Sequence, residues 1–370
     1  MLVLSVYNLC DTIYIAKHVH VLYGKGYKMP KNAPITRKKF NGSISILLEE
    51  RLKTLSKNIG RSMSALIDEA VIELSDKYSK EGGVTMVDEL KKTNTTHVLC
   101  ITNYKGGVGK TTTTAELAYL FAKKGNKQVL IIDADGQGNI TQRMGCIPNQ
   151  ESSIHTCLEA AMERKPLQVE PYIVTTQYKG IDIIPGSNIL GQDFFQGEMS
   201  AYRSRTGKNP YQKVIDAVRA LQRYDLVIMD THPAADNEIR YPMQASTDIL
   251  CPVDPSDEGL NGVLSTYAQV VESREATPEL RYLGAFFNRA DLRTSQCRDY
   301  IPSAKEELPK LIRQINDGND DGCVFDTIIR QSADIGKAVN YRCAVCARFH
   351  GKGAARDFEH LYDEVVMALV

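Results

Sequence analysis

The feature that most constrains this chain is a glycine-rich loop, Lys105-Gly-Gly-Val-Gly-Lys-Thr111, set between an apolar run at 97–102 and a helical pattern that begins near Thr112. Glycine lets the backbone approach an anion closely, so that successive N–H groups point at it. The positive end of the following helix adds to the attraction. The sequence therefore predicts a strand, a phosphate-binding loop and a helix, with Lys110 on the terminal phosphates and the Thr111 hydroxyl on magnesium.

The chain from residue 97 onward alternates between buried strands and helices. Continuous apolar runs occupy 97–103, 128–134, 180–185, 225–230, 248–253 and 282–287, and helical patterns occupy 112–124, 210–222 and 259–274. Runs without polar alternation indicate strands buried on both faces, as in a parallel sheet covered by helices. We therefore expect an α/β domain over 97–370, with a mostly parallel sheet, helices on both faces and ligands at the carboxyl ends of the strands.

Three acidic residues fall at strand ends on the same edge as the loop. Asp133 and Asp135 close the second run, and Asp230 closes the fourth. A single aspartate in such a place often caps a turn. Three of them around one phosphate loop instead favour a site for magnesium and for the attacking water.

Composition limits the class of protein. The chain has 370 residues, of which 43% are hydrophobic and 24% charged, which suits two or three globular domains. No run approaches the roughly eighteen apolar residues of a membrane span. Nine cysteines without a framework or a secretory leader indicate free thiols in a reducing cytoplasm. Cys343, Cys346 and His350 offer three metal ligands, but a fourth is not evident.

Residues 35–79 form a second, smaller and basic unit. Ile44, Ile46 and Leu48 alternate as in a short strand, one helical pattern ends at Gly60 and another starts after Ser62. Residues 31–61 hold eight Lys and Arg against two acidic residues, which suits a polyanionic partner. About forty residues bury too little surface to fold alone, so we expect this unit to dimerise.

The flanks of this unit carry weaker patterns. Residues 80–96 are polar and contain Gly82-Gly83, as in a linker. Residues 1–34 are interpreted as an extension that is either disordered or, upstream of Met29, not translated. The intact mass of the natively expressed protein tests the start at Met29.

A second lysine in the loop limits the choice among protein families that have a phosphate-binding loop. Tyr104 stands where the ordinary phosphate loop has its first glycine, and Lys105 follows it. This pattern resembles the deviant Walker loop of the ParA/MinD ATPases, and Asp133-Ala-Asp-Gly-Gln-Gly-Asn139 resembles their D-x-D-P-Q-G-N segment with Gly136 in place of proline. The resemblance implies that Lys105 reaches the phosphates of a partner subunit and that Asp135 orients the attacking water.

The same resemblance supplies the full set of expected site residues. The implied catalytic residues are Lys105, Lys110 and Asp135. The residues implied at the magnesium site are Thr111, Asp133 and Asp230, of which Asp133 is a supporting residue near the ion. The implied nucleotide contacts are Lys105, Gly106, Gly107, Val108, Gly109, Lys110, Thr111, Thr112 and Asn288. For Asn288 a turn at the strand end is an equally good explanation.

The basic unit over 40–79 resembles the ribbon-helix-helix DNA-binding family. In that family paired strands enter the major groove and a helix N-terminus holds a phosphate. The resemblance implies that the residues in contact with DNA are Lys38, Lys39, Ser43, Ser45, Arg61 and Ser62. Leu47 stands where a polar residue is expected, and a dimerisation unit with a merely solvated basic face remains open.

Together the two resemblances imply an ATP- and magnesium-dependent DNA partition ATPase. Such a protein forms a homodimer with ATP, holds DNA without sequence preference and hydrolyses ATP when a ParB-like centromere-binding partner stimulates it. It is cytoplasmic, associated with the nucleoid, and not bound to a membrane. The small unit adds the hypothesis that the protein represses its own operon. A nucleotide-switched transcriptional regulator and a MinD-like positioning ATPase are the alternatives.

Overall fold

In the computed structural model, the described residues are 96–147, 151–187, 194–232, 237–315 and 324–369. All of them lie in the second of the two units, Met1–Asp88 and Glu89–Val370, into which the chain divides. The extension, the strand–helix–helix unit at 35–79 and most of the linker therefore fall outside the described residues.

The described part of the chain is built on one eight-stranded sheet. The strands are β1 His97–Ile101, β2 Val129–Ala134, β3 Val174–Thr175, β4 Ile181–Ile184, β5 Leu226–Thr231, β6 Asp248–Val253, β7 Arg281–Ala290 and β8 Val324–Arg330. They are ordered β3-β4-β2-β5-β1-β6-β7-β8. Every neighbouring pair is parallel except β3 and β4, which are antiparallel.

Helices connect the parallel strands. They are α1 Lys110–Lys123, α2 Asn139–Arg143, α3 Ile154–Met162, α4 Ser200–Thr206, α5 Pro210–Ala220, α6 Asn237–Gln244, α7 Asp257–Ser273, α8 Ser295–Ile315, α9 Ala333–Asn340, α10 Val345–Arg348 and α11 Gly353–Leu369. A 3-10 turn at Glu170–Tyr172 and a π-helical turn at Phe195–Met199 complete the elements. Caps set several helix starts: Asn209 precedes Pro210 in α5, and the Ser256 hydroxyl accepts from the Gly259 N–H in α7.

The central strands are buried on both faces, as their continuous apolar runs predict. Val98 and Cys100 face one large core, whereas Leu99 and Ile101 alternate with them and are equally buried. Helices α3, α5, α7 and α8 contribute to the first core. Helices α1 and α11 pack with each other, α1 against β2 and α11 against β8. This covering of both faces confirms the predicted fold class.

Six of the eight strands agree with the predicted runs within a few residues. Strand β8 is not among the predicted runs, because it lies at the sheet edge and alternates more buried with more exposed residues; Phe325 and Ile329 are buried. The last helix, α11, packs its apolar stripe inside the domain, where Phe358, Leu361 and Val365 are buried. None of the helices among the described residues is long and apolar enough to cross a membrane.

Candidate nucleotide-binding site

The glycine-rich loop connects β1 to α1, as the sequence predicts. Gly107 has φ +74° and Gly109 has φ +95°, both in the left-handed region that favours glycine. A Cβ at Gly109 would also collide with the side-chain amide of Asn288. Helix α1 starts directly after this glycine, and its Thr113 N–H donates to the Gly109 carbonyl at 2.9 Å. The loop therefore places N–H groups and a helix N-terminus around one concave turn.

Lys110 lies across the inside of this loop. Its Nζ donates to the carbonyls of Asn103 at 2.9 Å and Lys105 at 3.1 Å, and the residue is buried. Burial lowers the pKa of Lys110, while the charges of Asp230 and Asp135 act in the opposite direction. The ammonium group is thus held where an incoming phosphate can replace backbone carbonyls as its partner.

Asp230 ends β5 next to the loop. The sheet register pairs it with Ile101 on one side and with Asp133 on the other. Its Oδ1 accepts from the Thr114 hydroxyl at 3.0 Å. Its Oδ2 is buried without a hydrogen bond of normal geometry among the described residues, although the Thr111 hydroxyl is near enough to lower the carboxyl pKa.

The setting of Asp230 fits a magnesium ion. Burial, supported by the charge of Asp135, raises the pKa of Asp230 to about 7. A buried carboxylate with a spare oxygen next to a threonine hydroxyl offers the hard oxygen ligands that magnesium prefers. Thr111 and Asp230 are therefore the residues that would hold the ion, and its charge would relieve the cost of ionising the buried carboxyl.

Asp133 and Asp135 have different surroundings. Asp133 accepts from the Asp135 N–H at 3.2 Å with Oδ1, and from the Thr141 hydroxyl at 2.5 Å and its N–H at 3.1 Å with Oδ2. Burial, followed by the charge of Asp230, raises its pKa to about 8. Asp135 accepts from the Gln137 N–H at 2.9 Å with Oδ1. Asp133 thus holds the loop that carries Asp135. These contacts favour a structural role for Asp133 over direct binding of the metal.

Lys105 is held outside the loop by its own chain. Its Nζ donates to Asp254 Oδ2 at 3.0 Å, Ser256 Oγ at 2.9 Å and Glu258 Oε2 at 3.2 Å. Partial burial acts to lower its pKa, but the hydrogen bonds to Asp254 and Glu258 outweigh it and raise the pKa. The two lysines of the loop therefore point to different environments, Lys110 into the loop and Lys105 to the start of α7.

The remaining predicted contacts also surround the loop. Gly106 and Gly107 are exposed at its rim, and Val108 is buried under it. The Thr112 hydroxyl accepts from Arg143 Nη1 at 2.9 Å. Asn288 is 1% exposed and its amide is engaged by the loop, because Nδ2 donates to the Val108 carbonyl at 2.8 Å.

Sequence reasoning missed three residues that shape this site. Arg289 contacts the loop, Arg143 contacts the helix that follows it, and Glu116 lies in that helix. Arg289 Nη1 donates to the Gly107 carbonyl, and Arg143 Nη2 donates to Glu116 Oε1 at 3.1 Å inside the domain. Their partners lie tens to hundreds of residues away in the chain, so no local motif carries the signal.

Cys343 and Cys346 are not part of a metal-binding cluster among the residues that the structure describes. Within the described ranges, no group of three His, Cys, Asp or Glu side chains could hold a metal ion. The Cys343 thiol donates to the Ala338 carbonyl at 3.6 Å and the Cys346 thiol to the Ala355 carbonyl at 3.4 Å. Both are free thiols that pack within the C-terminal segment.

Comparison with known proteins identifies the family. The sequence profile of the AAA domain family (AAA_31) matches residues 96–281. The chain belongs to the ParA/MinD family of AAA-domain ATPases. It is 27% identical over 252 residues to the chromosome partitioning protein ParA of Caulobacter vibrioides, a match that covers 67% of this chain and 85% of that protein.

Solved structures share the fold of this chain. The apo McdA of Cyanothece superposes with a TM-score of 0.59 at 20% identity, covering 75% of this chain and 100% of that one. A cobyrinic acid a,c-diamide synthase from Mycobacterium smegmatis has a TM-score of 0.52 at 26% identity, covering 67% of this chain and 92% of that one. That synthase was solved with a bound ATP analogue and magnesium.

Proposed function

We propose that this protein is an ATP-dependent DNA partition ATPase. The observation that carries the proposal is the pair of lysines on one phosphate loop, Lys110 turned into the loop and Lys105 turned out of it. The similarity to a chromosome partitioning ParA supports the same function. ATP and magnesium are the cofactors that the site fits.

The chemistry follows from what each side chain can do. The N–H groups of the loop and Lys110 hold the phosphates, while Thr111 and Asp230 provide oxygen ligands. Magnesium, when bound, neutralises charge that develops on the terminal phosphates. Asp135, at the end of β2, orients the attacking water and accepts its proton, and Asp133 keeps that loop in place. Most of the rate enhancement then comes from positioning and charge neutralisation.

Lys105 links nucleotide state to assembly. In the monomer its ammonium group is neutralised by Asp254 and Glu258. We expect a second subunit carrying ATP to offer Lys105 a triphosphate, whose greater charge competes with these two carboxylates. The resulting homodimer binds DNA without sequence preference, and a ParB-like partner stimulates hydrolysis and releases it.

Replacement of Lys105 tests this function. Lys105→Ala should still bind ATP, because Lys110 and the loop N–H groups remain, but should no longer dimerise with ATP. Binding of a fluorescent ATP analogue and the mass in solution with a slowly hydrolysed analogue measure the two properties. Lys124→Ala is the matched control, since Lys124 is a surface lysine paired with Asp363 at the far end of α1. A Lys105→Ala protein that dimerises like the wild type contradicts the proposal.

The small N-terminal unit extends the proposal. Residues 35–79 act as a sequence-specific DNA-binding unit, with Lys38, Lys39, Ser43, Ser45, Arg61 and Ser62 as the contacts. The support is the basic charge of 31–61 and the strand–helix–helix pattern. If the dimer axes of the two units coincide, nucleotide state changes operator affinity and the protein represses its own operon. Equal operator affinity in the apo, ADP and ATP states would exclude that coupling.

A further inference from the structure

Two consecutive side chains at the end of β7 donate hydrogen bonds to the phosphate loop. Asn288 Nδ2 donates to the Val108 carbonyl at 2.8 Å, and Arg289 Nη1 donates to the Gly107 carbonyl. Asn288 Oδ1 in turn accepts from the Arg289 N–H at 2.8 Å. Two neighbouring residues of one strand therefore bind two neighbouring carbonyls of the loop.

The backbone at Arg289 is held in an unfavourable conformation. Its φ is +57°, in the left-handed region where a residue with a Cβ is disfavoured and glycine is not. Such conformations persist only where the surrounding structure compensates for them, and they concentrate at functional sites. The arginine side chain that this backbone carries reaches the loop, so the strain coincides with the contact.

The loop and the strand end fit each other closely. A Cβ at Gly109 would collide with the Asn288 amide, and a Cβ at Gly107 would lie 3.3 Å from Arg289 Nη1. These are the two loop glycines with positive φ. The absence of a Cβ at Gly107 and Gly109 thus lets Asn288 and Arg289 approach the loop backbone, in addition to letting an anion approach it.

We propose that Asn288 and Arg289 are positioning residues that brace the phosphate loop for ATP. By binding the carbonyls of Gly107 and Val108 from outside, they fix the peptide planes whose other ends are the N–H groups of Val108 and Gly109. A loop fixed in this way loses less conformational entropy when phosphate binds. This inference rests on the proposed ATP site. In it Asn288 contacts the phosphate loop, in place of the nucleotide contact that the family resemblance implies.

Arg289→Gly tests the brace, because it removes the guanidinium while glycine accepts the left-handed backbone. Arg342→Gly is the matched control: Arg342 is also an exposed arginine, with φ +50°. Both variants should melt at or above the wild-type temperature. Only Arg289→Gly should weaken binding of a slowly hydrolysed ATP analogue, by about ten-fold, the equivalent of one charge-assisted hydrogen bond.

Kinetics and a conservative variant separate positioning from a general structural effect. In Arg289→Gly the KM for ATP should rise by a similar factor with kcat changed less, because the loop holds phosphate before and during the reaction. Arg289→Lys, which can still donate to the Gly107 carbonyl, should recover part of the affinity. Wild-type affinity in Arg289→Gly, or an equal loss in Arg342→Gly, overturns the brace. Failure of the wild type itself to bind ATP would instead overturn the proposed function.

Discussion

At the scale of single residues, the buried carboxyl of Asp230 makes stability depend on pH. Burial raises its pKa from 3.8 to about 7 in the fold. Between these two values the folded protein keeps a proton that the unfolded chain has lost, so the free energy of unfolding falls as pH rises and levels off above about 7. The site thus carries an unfavourable charge that a bound cation can relieve.

Asp230→Asn should remove this dependence. The amide oxygen can still accept from the Thr114 hydroxyl, and position 230 itself no longer carries a charge at any pH. Without magnesium, the variant should be more stable than the wild type near pH 8, by on the order of 2 kcal/mol. The difference should shrink near pH 5, as measured by denaturant unfolding at both values. The exposed Asp216→Asn serves as the control, and a difference independent of pH would argue against the buried charge.

Asp135 is the residue on which hydrolysis depends in our proposal. Asp135→Asn keeps an acceptor for the Gln137 N–H but cannot take a proton from water. We expect ATP binding to remain and single-turnover hydrolysis to fall at least about a hundred-fold, as for loss of a general base. Hydrolysis at the wild-type rate in this variant would remove Asp135 from the mechanism.

At the scale of elements, an ion pair joins three segments around α1. Arg143, at the end of α2, donates to Glu116 in α1 and through Nε to the Cys343 carbonyl at 3.1 Å. Glu116 also accepts from the N–H groups of Val345 at 2.6 Å and Cys346 at 2.9 Å. The pair therefore ties the helix after the Asp135 loop, the helix after the phosphate loop and α10 into one unit.

Breaking this pair should destabilise the fold. Glu116→Ala leaves the Arg143 guanidinium buried without its carboxylate, which we expect to cost about 3 kcal/mol in the free energy of unfolding. Arg143→Met alone should cost a similar amount. The double variant should cost clearly less than the sum, because no unpaired charge remains. A double-mutant cycle by denaturant unfolding measures this coupling, and strictly additive losses would mean that the two side chains act independently.

At the scale of the whole molecule, charge is distributed unevenly between the two units. Residues 1–95 carry 15 Lys and Arg against 10 Asp and Glu, so the remainder of the neutral chain carries 30 against 35. We expect the N-terminal unit to provide most of the sequence-specific DNA affinity. Long-range attraction of DNA by the ATPase unit alone should be weak, because that unit has a net negative charge.

A titration of DNA against the full chain and a 96–370 fragment tests this division. Each is measured with ADP and with a slowly hydrolysed ATP analogue, at several salt concentrations. The full chain should bind its operator in a salt-sensitive way, whereas the fragment should keep only the ATP-dependent binding without sequence preference. Operator affinity of the fragment equal to that of the full chain would place specific recognition in the ATPase unit.

Local chemistry made much of this protein readable from its sequence. Continuous apolar runs marked β1, β2 and β4 to β7, because buried parallel strands need apolar residues on both faces. The glycines and lysines of 105–111 marked the phosphate loop, because its backbone conformation and charge are properties of adjacent residues. Asp133, Asp135 and Asp230 were predicted to lie near the loop because parallel strands end at one edge of a sheet, and the register does place Asp133 beside Asp230.

Only the tertiary structure decided which distant side chains complete the site. Lys105 meets Asp254 and Glu258, Gly107 meets Arg289, and Glu116 meets the backbone of Cys346. These partners are separated by more than a hundred residues, and many folds are compatible with each side chain taken alone. Their contacts follow from the order β5-β1-β6-β7 in the sheet, which brings β7 and the start of α7 beside the loop after β1.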